Sequence, residues 1–173
     1  MQFPCNFDGH PRVLALIERF RCIDAAMRDL PLYDARVAIE AIGFRRFGTD
    51  ALLGVALTPW FANVIILPIE PVPMDMAEIG RTVSVELPAG KRAFVVGGDE
   101  VIGLYKAHSL HSPVLDHMLP GQARAAAQRM LALLITQPAV IAETAPTSGS
   151  SPSALDRRAL LFGRRPVRTR TPG

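Results

Sequence analysis

Cysteine is almost missing from this 173-residue chain: Cys5 and Cys22 are the only two, with no C-x-x-C spacing and no second cluster. That excludes a disulfide framework and a cysteine-ligated zinc or iron site, and it fits reduced thiols in a cytoplasmic protein. No apolar run reaches membrane-spanning length, because the longest, residues 50–68, is interrupted at Thr58-Pro59-Trp60. Stable membrane insertion is therefore not expected. The first twenty residues place Asp8 and Glu18 among arginines instead of a basic segment followed by an apolar one, so no secretory signal is read. Phosphate-loop patterns (G-x-G-x-x-G, or G-K followed by Ser or Thr) and the G-x-S-x-G nucleophile elbow are absent, and the carboxylates are scattered. No cofactor is expected.

What is present is apolar and locally basic. Hydrophobic residues make up 49% of the chain, enough for one sizeable core. The formal charge of +3 is unevenly spread, since residues 156–170 hold six arginines (157, 158, 164, 165, 168 and 170) against Asp156 alone. The remainder is slightly acidic. A nucleic-acid surface on the body is therefore not expected, although the arginine tail by itself could bind a polyanion weakly.

The patterning predicts an α+β fold: a mostly antiparallel sheet of five or six strands with an N-terminal and a C-terminal helix. Val13, Leu16, Ile17, Phe20, Ile23, Met27 and Leu30 draw a helical stripe over about 10–29, which Pro31 ends. Cys22, near the edge of that stripe, is expected to be packed. Residues 35–47 read as a strand whose alternation slips near Gly43, as a β-bulge would make it. Ala51–Leu57 and Asn63–Leu67 read as the buried central strands, joined at the Thr58-Pro59-Trp60 corner. After a linker with Pro68, Pro71 and Pro73 come an alternating strand, Thr82–Leu87, and two more around Gly97-Gly98, which reads as a hairpin turn. Pro120-Gly121 opens a last helix ending before Pro138, and both helices are expected to cover one face of the sheet. The domain is expected to span 1–141. A Ser/Thr/Pro/Gly-rich linker (142–154) and a basic arm (155–173) follow.

Three features could carry function. Trp60, the single tryptophan, either caps the core or anchors a partner. His108, His111 and His117 lie within ten residues, but a strand points 108 and 111 apart, which weakens a metal site; Ser109 and Ser112 beside His111 lack an evident acid for nucleophilic catalysis. The arm embeds Leu155, Leu160, Leu161 and Phe162 among arginines. Burying the last three could contribute on the order of 5 kcal/mol before ordering costs, so they should dock, on this protein or on a partner.

Three motifs in this order, Leu57-Thr58-Pro59-Trp60-Phe61 with Val64-Ile65-Ile66-Leu67-Pro68, then Ser109-Leu110-His111-Ser112-Pro113, then Arg157-Arg158-Ala159-Leu160-Leu161-Phe162-Gly163-Arg164-Arg165, resemble the HybE/HupJ family of NiFe-hydrogenase assembly chaperones. The resemblance implies a non-enzymatic cytoplasmic accessory factor that binds hydrogenase subunit precursors, small or large, before membrane targeting, with other maturation factors as further partners. It implies partner-binding roles for Thr58, Pro59, Trp60, Phe61, Ser112, Pro113, Arg157, Arg158, Leu161, Phe162, Gly163 and Arg164. Some family members carry a rubredoxin module, whose cysteine pairs this chain lacks, so no metal is expected. On this reading, replacing Trp60 and Phe162 with alanine weakens client capture and leaves the body folded. The alternatives are an enzyme of unassigned chemistry using the His108–His117 segment, and a polyanion binder acting through the arginine tail.

Overall fold

A six-stranded antiparallel sheet organises the chain, in the order β1-β2-β3-β6-β5-β4. The computed structural model describes residues 6–111 and 120–136. All of them belong to the first of two compact units, Met1–Ala139; the second, Val140–Gly173, lies outside the described residues. The elements run α1 (Pro11–Met27), β1 (Glu40–Phe47), β2 (Ala51–Thr58), β3 (Phe61–Pro68), β4 (Thr82–Leu87), β5 (Gly90–Asp99), β6 (Gly103–His111) and α2 (Pro120–Ile135).

β2 decides the layering. All eight of its residues are buried, because alternate side chains feed two separate cores. Leu53, Val55 and Leu57 join Ala62, Val64 and Ile66 of β3 beneath Ala123, Ala127, Leu131 and Leu134 of α2. Leu52 and Ala56 join Ile65 and Leu67 beneath Val13, Leu16, Ile17 and Phe20 of α1. The helices therefore cover opposite faces, which corrects the expectation that they share one. A strand apolar on both sides needs a cover on each. Full burial of the four α1 side chains contributes roughly 2 kcal/mol apiece before entropy.

Polar contacts pin α1 in place. The Arg12 guanidinium donates to the carbonyls of Pro68 (3.1 Å) and Ile102 (2.9 Å), and its partial burial lowers its pKa. Arg19 pairs with Asp99 of β5. Burial opposes ionisation of Asp99, but the Ile102 amide, Arg19 and the Val101 amide outweigh it and hold the carboxyl below its usual range. On the other side, Arg124 of α2 pairs with Glu40 of β1.

The bulge expected near Gly43 is present. The β1–β2 register shifts between Ile42 and Arg45, and Gly43 has φ +66°, a left-handed conformation that glycine adopts without a Cβ clash. The Asp8 carboxylate accepts from the amides of Gly43 (3.2 Å) and Phe44 (2.6 Å), and the Phe7 amide donates to the Phe44 carbonyl at 2.8 Å. The outer edge of β1 is thereby closed at Gly43 and Phe44.

Three local expectations need correction. The first strand begins at Glu40, the preceding residues forming turns. Gly97-Gly98 is not the hairpin turn: both residues lie in β5, opposite Tyr105 and Leu104, and the chain turns between Asp99 and Gly103. Their role is steric, since a Cβ on Gly97 would sit 3.0 Å from the Tyr105 ring and one on Gly98 would sit 2.6 Å from the Gly103 carbonyl oxygen. Cys22 is exposed, because the helical period places it on the face of α1 opposite Val13, Leu16, Ile17 and Phe20. The proline-bearing stretch after β3 carries the chain past β6 and β5 to the far edge, with the Val72 carbonyl accepting from Leu104 N at 2.8 Å.

Candidate functional site

The Thr58-Pro59-Trp60-Phe61 corner is a two-residue hairpin between β2 and β3, with Thr58 opposite Phe61. Thr58 is fully buried and holds the turn: its Oγ1 accepts from the amides of Trp60 (3.3 Å) and Phe61 (3.0 Å) and donates to the Phe61 carbonyl at 3.2 Å. A hydroxyl with both roles at this position replaces the solvent a tight buried turn lacks. Pro59 is buried as well, and its carbonyl accepts from Asp34 N at 2.8 Å.

Trp60 faces inward at 6% exposure. Its ring stacks on Tyr33 (centroids 6.2 Å apart, planes 12° apart) and meets Phe61 edge-on at 5.8 Å; Phe61 in turn meets Phe20 of α1 edge-on at 5.3 Å. The indole caps one end of the α1-side core. Phe61, half-buried, is the aromatic of the corner that reaches solvent. Tyr33 escaped the sequence reading because it lies in an irregular stretch after Pro31, and packing alone brings it to the indole. Its hydroxyl donates to Asp24 at 2.9 Å, and that bond raises its pKa.

The second motif is brought to the first by sheet pairing. β3 and β6 are neighbours, with Ala62 opposite His111 and Asn63 opposite Ser109, so Ser109-Leu110-His111 runs alongside the corner. Among the described residues, nothing hydrogen-bonds to the buried Oδ1 of Asn63. The hint in the sequence was a lone amide in the apolar run Ala62–Leu67. Ser112, Pro113, His117, Arg157, Arg158, Leu161, Phe162, Gly163 and Arg164 lie outside the described residues, as does the side chain of His111.

His108 belongs to the other face. Its Nδ1 lies 2.8 Å from the Ala93 carbonyl oxygen, which fixes the proton on that nitrogen, and its ring packs on Phe94 with centroids 5.3 Å apart. Among the described residues, no three His, Cys, Asp or Glu side chains come together as a metal-binding group. No described helix is long and apolar enough to cross a membrane.

At the opposite end of β2 and β3, on the α2 side, an open depression of about 430 Å³ is floored by Phe47, Ile66, Val83, Val96 and Leu104, with Lys106, Asp50 and Glu78 also lining it. Its residues come from widely separated stretches of sequence, so no local pattern announces it.

Acid should loosen the corner. Two hydrogen bonds from the Arg36 side chain, and one from the Arg36 amide, hold the Asp34 carboxyl down at about 2 from an ordinary 3.8. A lowered folded-state value means this stabilisation is complete above about 3.8 and is lost as pH falls through about 2. Following the Asp34 carboxyl and the Trp60 amide by NMR from pH 5 to 1.5 should show both moving with one midpoint near the lower value. A midpoint near 4 would refute the pairing.

Residues 11–163 match the family described as NiFe-hydrogenase assembly, chaperone, HybE. The chain is 36% identical over 140 residues to the hydrogenase expression/formation protein HupJ of Bradyrhizobium diazoefficiens, covering 81% of this chain and 80% of that one. It is 33% identical over 180 residues to the protein HoxT of Cupriavidus necator, covering 94% and 93%. The solution structure of HybE from Escherichia coli superposes with a TM-score of 0.53 at 24% identity, over 94% of this chain and 93% of that one, and shows the same fold. The chain belongs to the HybE family of NiFe-hydrogenase assembly chaperones.

Proposed function

We propose that this protein is an accessory chaperone that binds subunit precursors of an uptake NiFe hydrogenase through the aromatic corner and holds them, without chemical turnover, until assembly is complete. The observation that carries this reading is the β3–β6 pairing, which sets the Ser109-Leu110-His111 motif beside the Thr58–Phe61 hairpin although the two are some fifty residues apart in sequence. The corner is a rigid platform: Thr58, Pro59 and Trp60 are locked inside, and half-buried Phe61 offers an apolar contact whose position is already fixed. The arm residues Arg157, Arg158, Leu161, Phe162, Gly163 and Arg164, with Ser112 and Pro113, supply the remaining client contacts in this proposal, and other maturation factors are further partners. The guanidinium groups would fork onto carboxylates or carbonyls of the client.

The test is an affinity capture of the tagged full chain from cells assembling a NiFe hydrogenase, beside the chain truncated after Ile141 and a Phe61→Ala variant whose melting temperature is checked. Hydrogenase subunits should come down with the full chain and be lost or strongly reduced with both variants. If no subunit is captured by the full chain, the proposal fails. If capture survives truncation, the arm is removed from the client site.

A further inference from the structure

The two outer edges of the sheet are treated differently. β1 is interrupted by the Gly43 bulge, where Asp8 and Phe7 bond the outward groups of Gly43 and Phe44, whereas β4 is a regular six-residue strand with no proline, glycine or register shift. Leu87 and Gly90 close a two-residue hairpin, so they exchange hydrogen bonds, and the backbone groups of Val83 and Val85 also point inward to β5. The N–H and C=O groups of Thr82, Ser84 and Glu86 therefore point outward. Among the described residues nothing bonds to them. An open, regular edge is a template for another strand.

We infer that the edge of β4 is a pairing surface for a second copy of this chain, the two β4 strands running antiparallel about a twofold axis through Ser84. That register opposes Ser84 to Ser84 of the second copy, Thr82 to Glu86, and Val83 to Val85. Each outward-pointing pair exchanges both of its backbone hydrogen bonds. The single charge of the strand, Glu86, meets a hydroxyl instead of another carboxylate, and the half-buried Val83 and Val85 meet each other on the α2 side. A strand carrying a charge at its centre would repel its copy in this arrangement. Here no like charges are opposed. Edge pairing alone buries less than a standard interface, so the dimer is weak and concentration-dependent. β6 and β5 separate β4 from the β2–β3 hairpin, so pairing leaves both aromatic corners open. This inference does not depend on what the corner binds.

Sedimentation equilibrium of the full chain over a wide concentration range tests it, with amide exchange at Ser84 and Glu86 measured on the same samples. The mass should rise toward a dimer with concentration, and those two amides should gain protection in step. Thr82→Glu opposes carboxylates twice and should weaken the dimer roughly tenfold, whereas Thr82→Lys should tighten it by a similar factor. Thr82 is exposed, and the amides of Val83 and Val85 report in both variants that β4 stays paired to β5. A monomer at every concentration overturns the inference. So does concentration-independent protection of Ser84, which would mean that something other than a second copy covers the edge, or a shift of both variants in the same direction.

Discussion

Trp60→Ala is expected to lower the unfolding free energy by about 3–5 kcal/mol, the range for truncating a large buried aromatic. The indole is 6% exposed and is held between Tyr33 and Phe61, so its removal leaves a void at one end of the α1-side core. The surroundings have little freedom to collapse into it, because Thr58 and the Asp34–Pro59 bond fix the turn. Urea unfolding followed by circular dichroism reads the effect; a loss below about 1 kcal/mol would mean that the indole is not part of the core. The consequence reaches function. Loss of client capture by a Trp60→Ala, Phe162→Ala double variant cannot be separated from loss of fold, contrary to the expectation from sequence that the body would tolerate the change. Phe61, reaching solvent at the same corner, is the better probe.

Gly54→Ala should cost about 3 kcal/mol, the upper end of the range for overpacking a core. A Cβ on Gly54 would sit 2.4 Å from Phe44 Cγ and 2.7 Å from its Cα. Rotating the ring away does not remove the backbone contact, and Phe44 is itself fully buried against β2. The bulge at Gly43 brings Phe44 across this position, so Gly54 and Gly43 serve one arrangement from adjacent strands. Gly121→Ala is the control: among the described residues nothing lies within 4 Å of the added Cβ, and in the first turn of α2 the change should be neutral or stabilising by up to about 1 kcal/mol. Thermal and urea unfolding of the two variants should move in opposite directions. A neutral Gly54→Ala would show that β1 and β2 separate more easily than their packing implies.

Sequence by itself determined the elements and the family. The stripe Val13-Leu16-Ile17-Phe20, the alternation of Thr82–Leu87 and the apolar run Ala51–Leu57 each carry a period or a composition that one type of element satisfies, and the α+β class follows from their order. The slip at Gly43 was legible because a bulge moves every later side chain to the other face. Tertiary structure decided the rest. Which face each helix covers depends on where β2 sends its alternate side chains, and an unbroken apolar run carries no sign of that. Gly97-Gly98 resembled a turn because glycine suits turns, yet the requirement was room for the Tyr105 ring across a strand pair. Trp60 could be read as buried or exposed until its stacking partner, Tyr33, arrived from a distant irregular stretch. The meeting of Ser109–His111 with the Thr58–Phe61 hairpin likewise needed the β3–β6 pairing. Local patterns record which neighbours along the chain share an environment; contacts between distant residues are set by the packing of whole elements, and that is where this site was made.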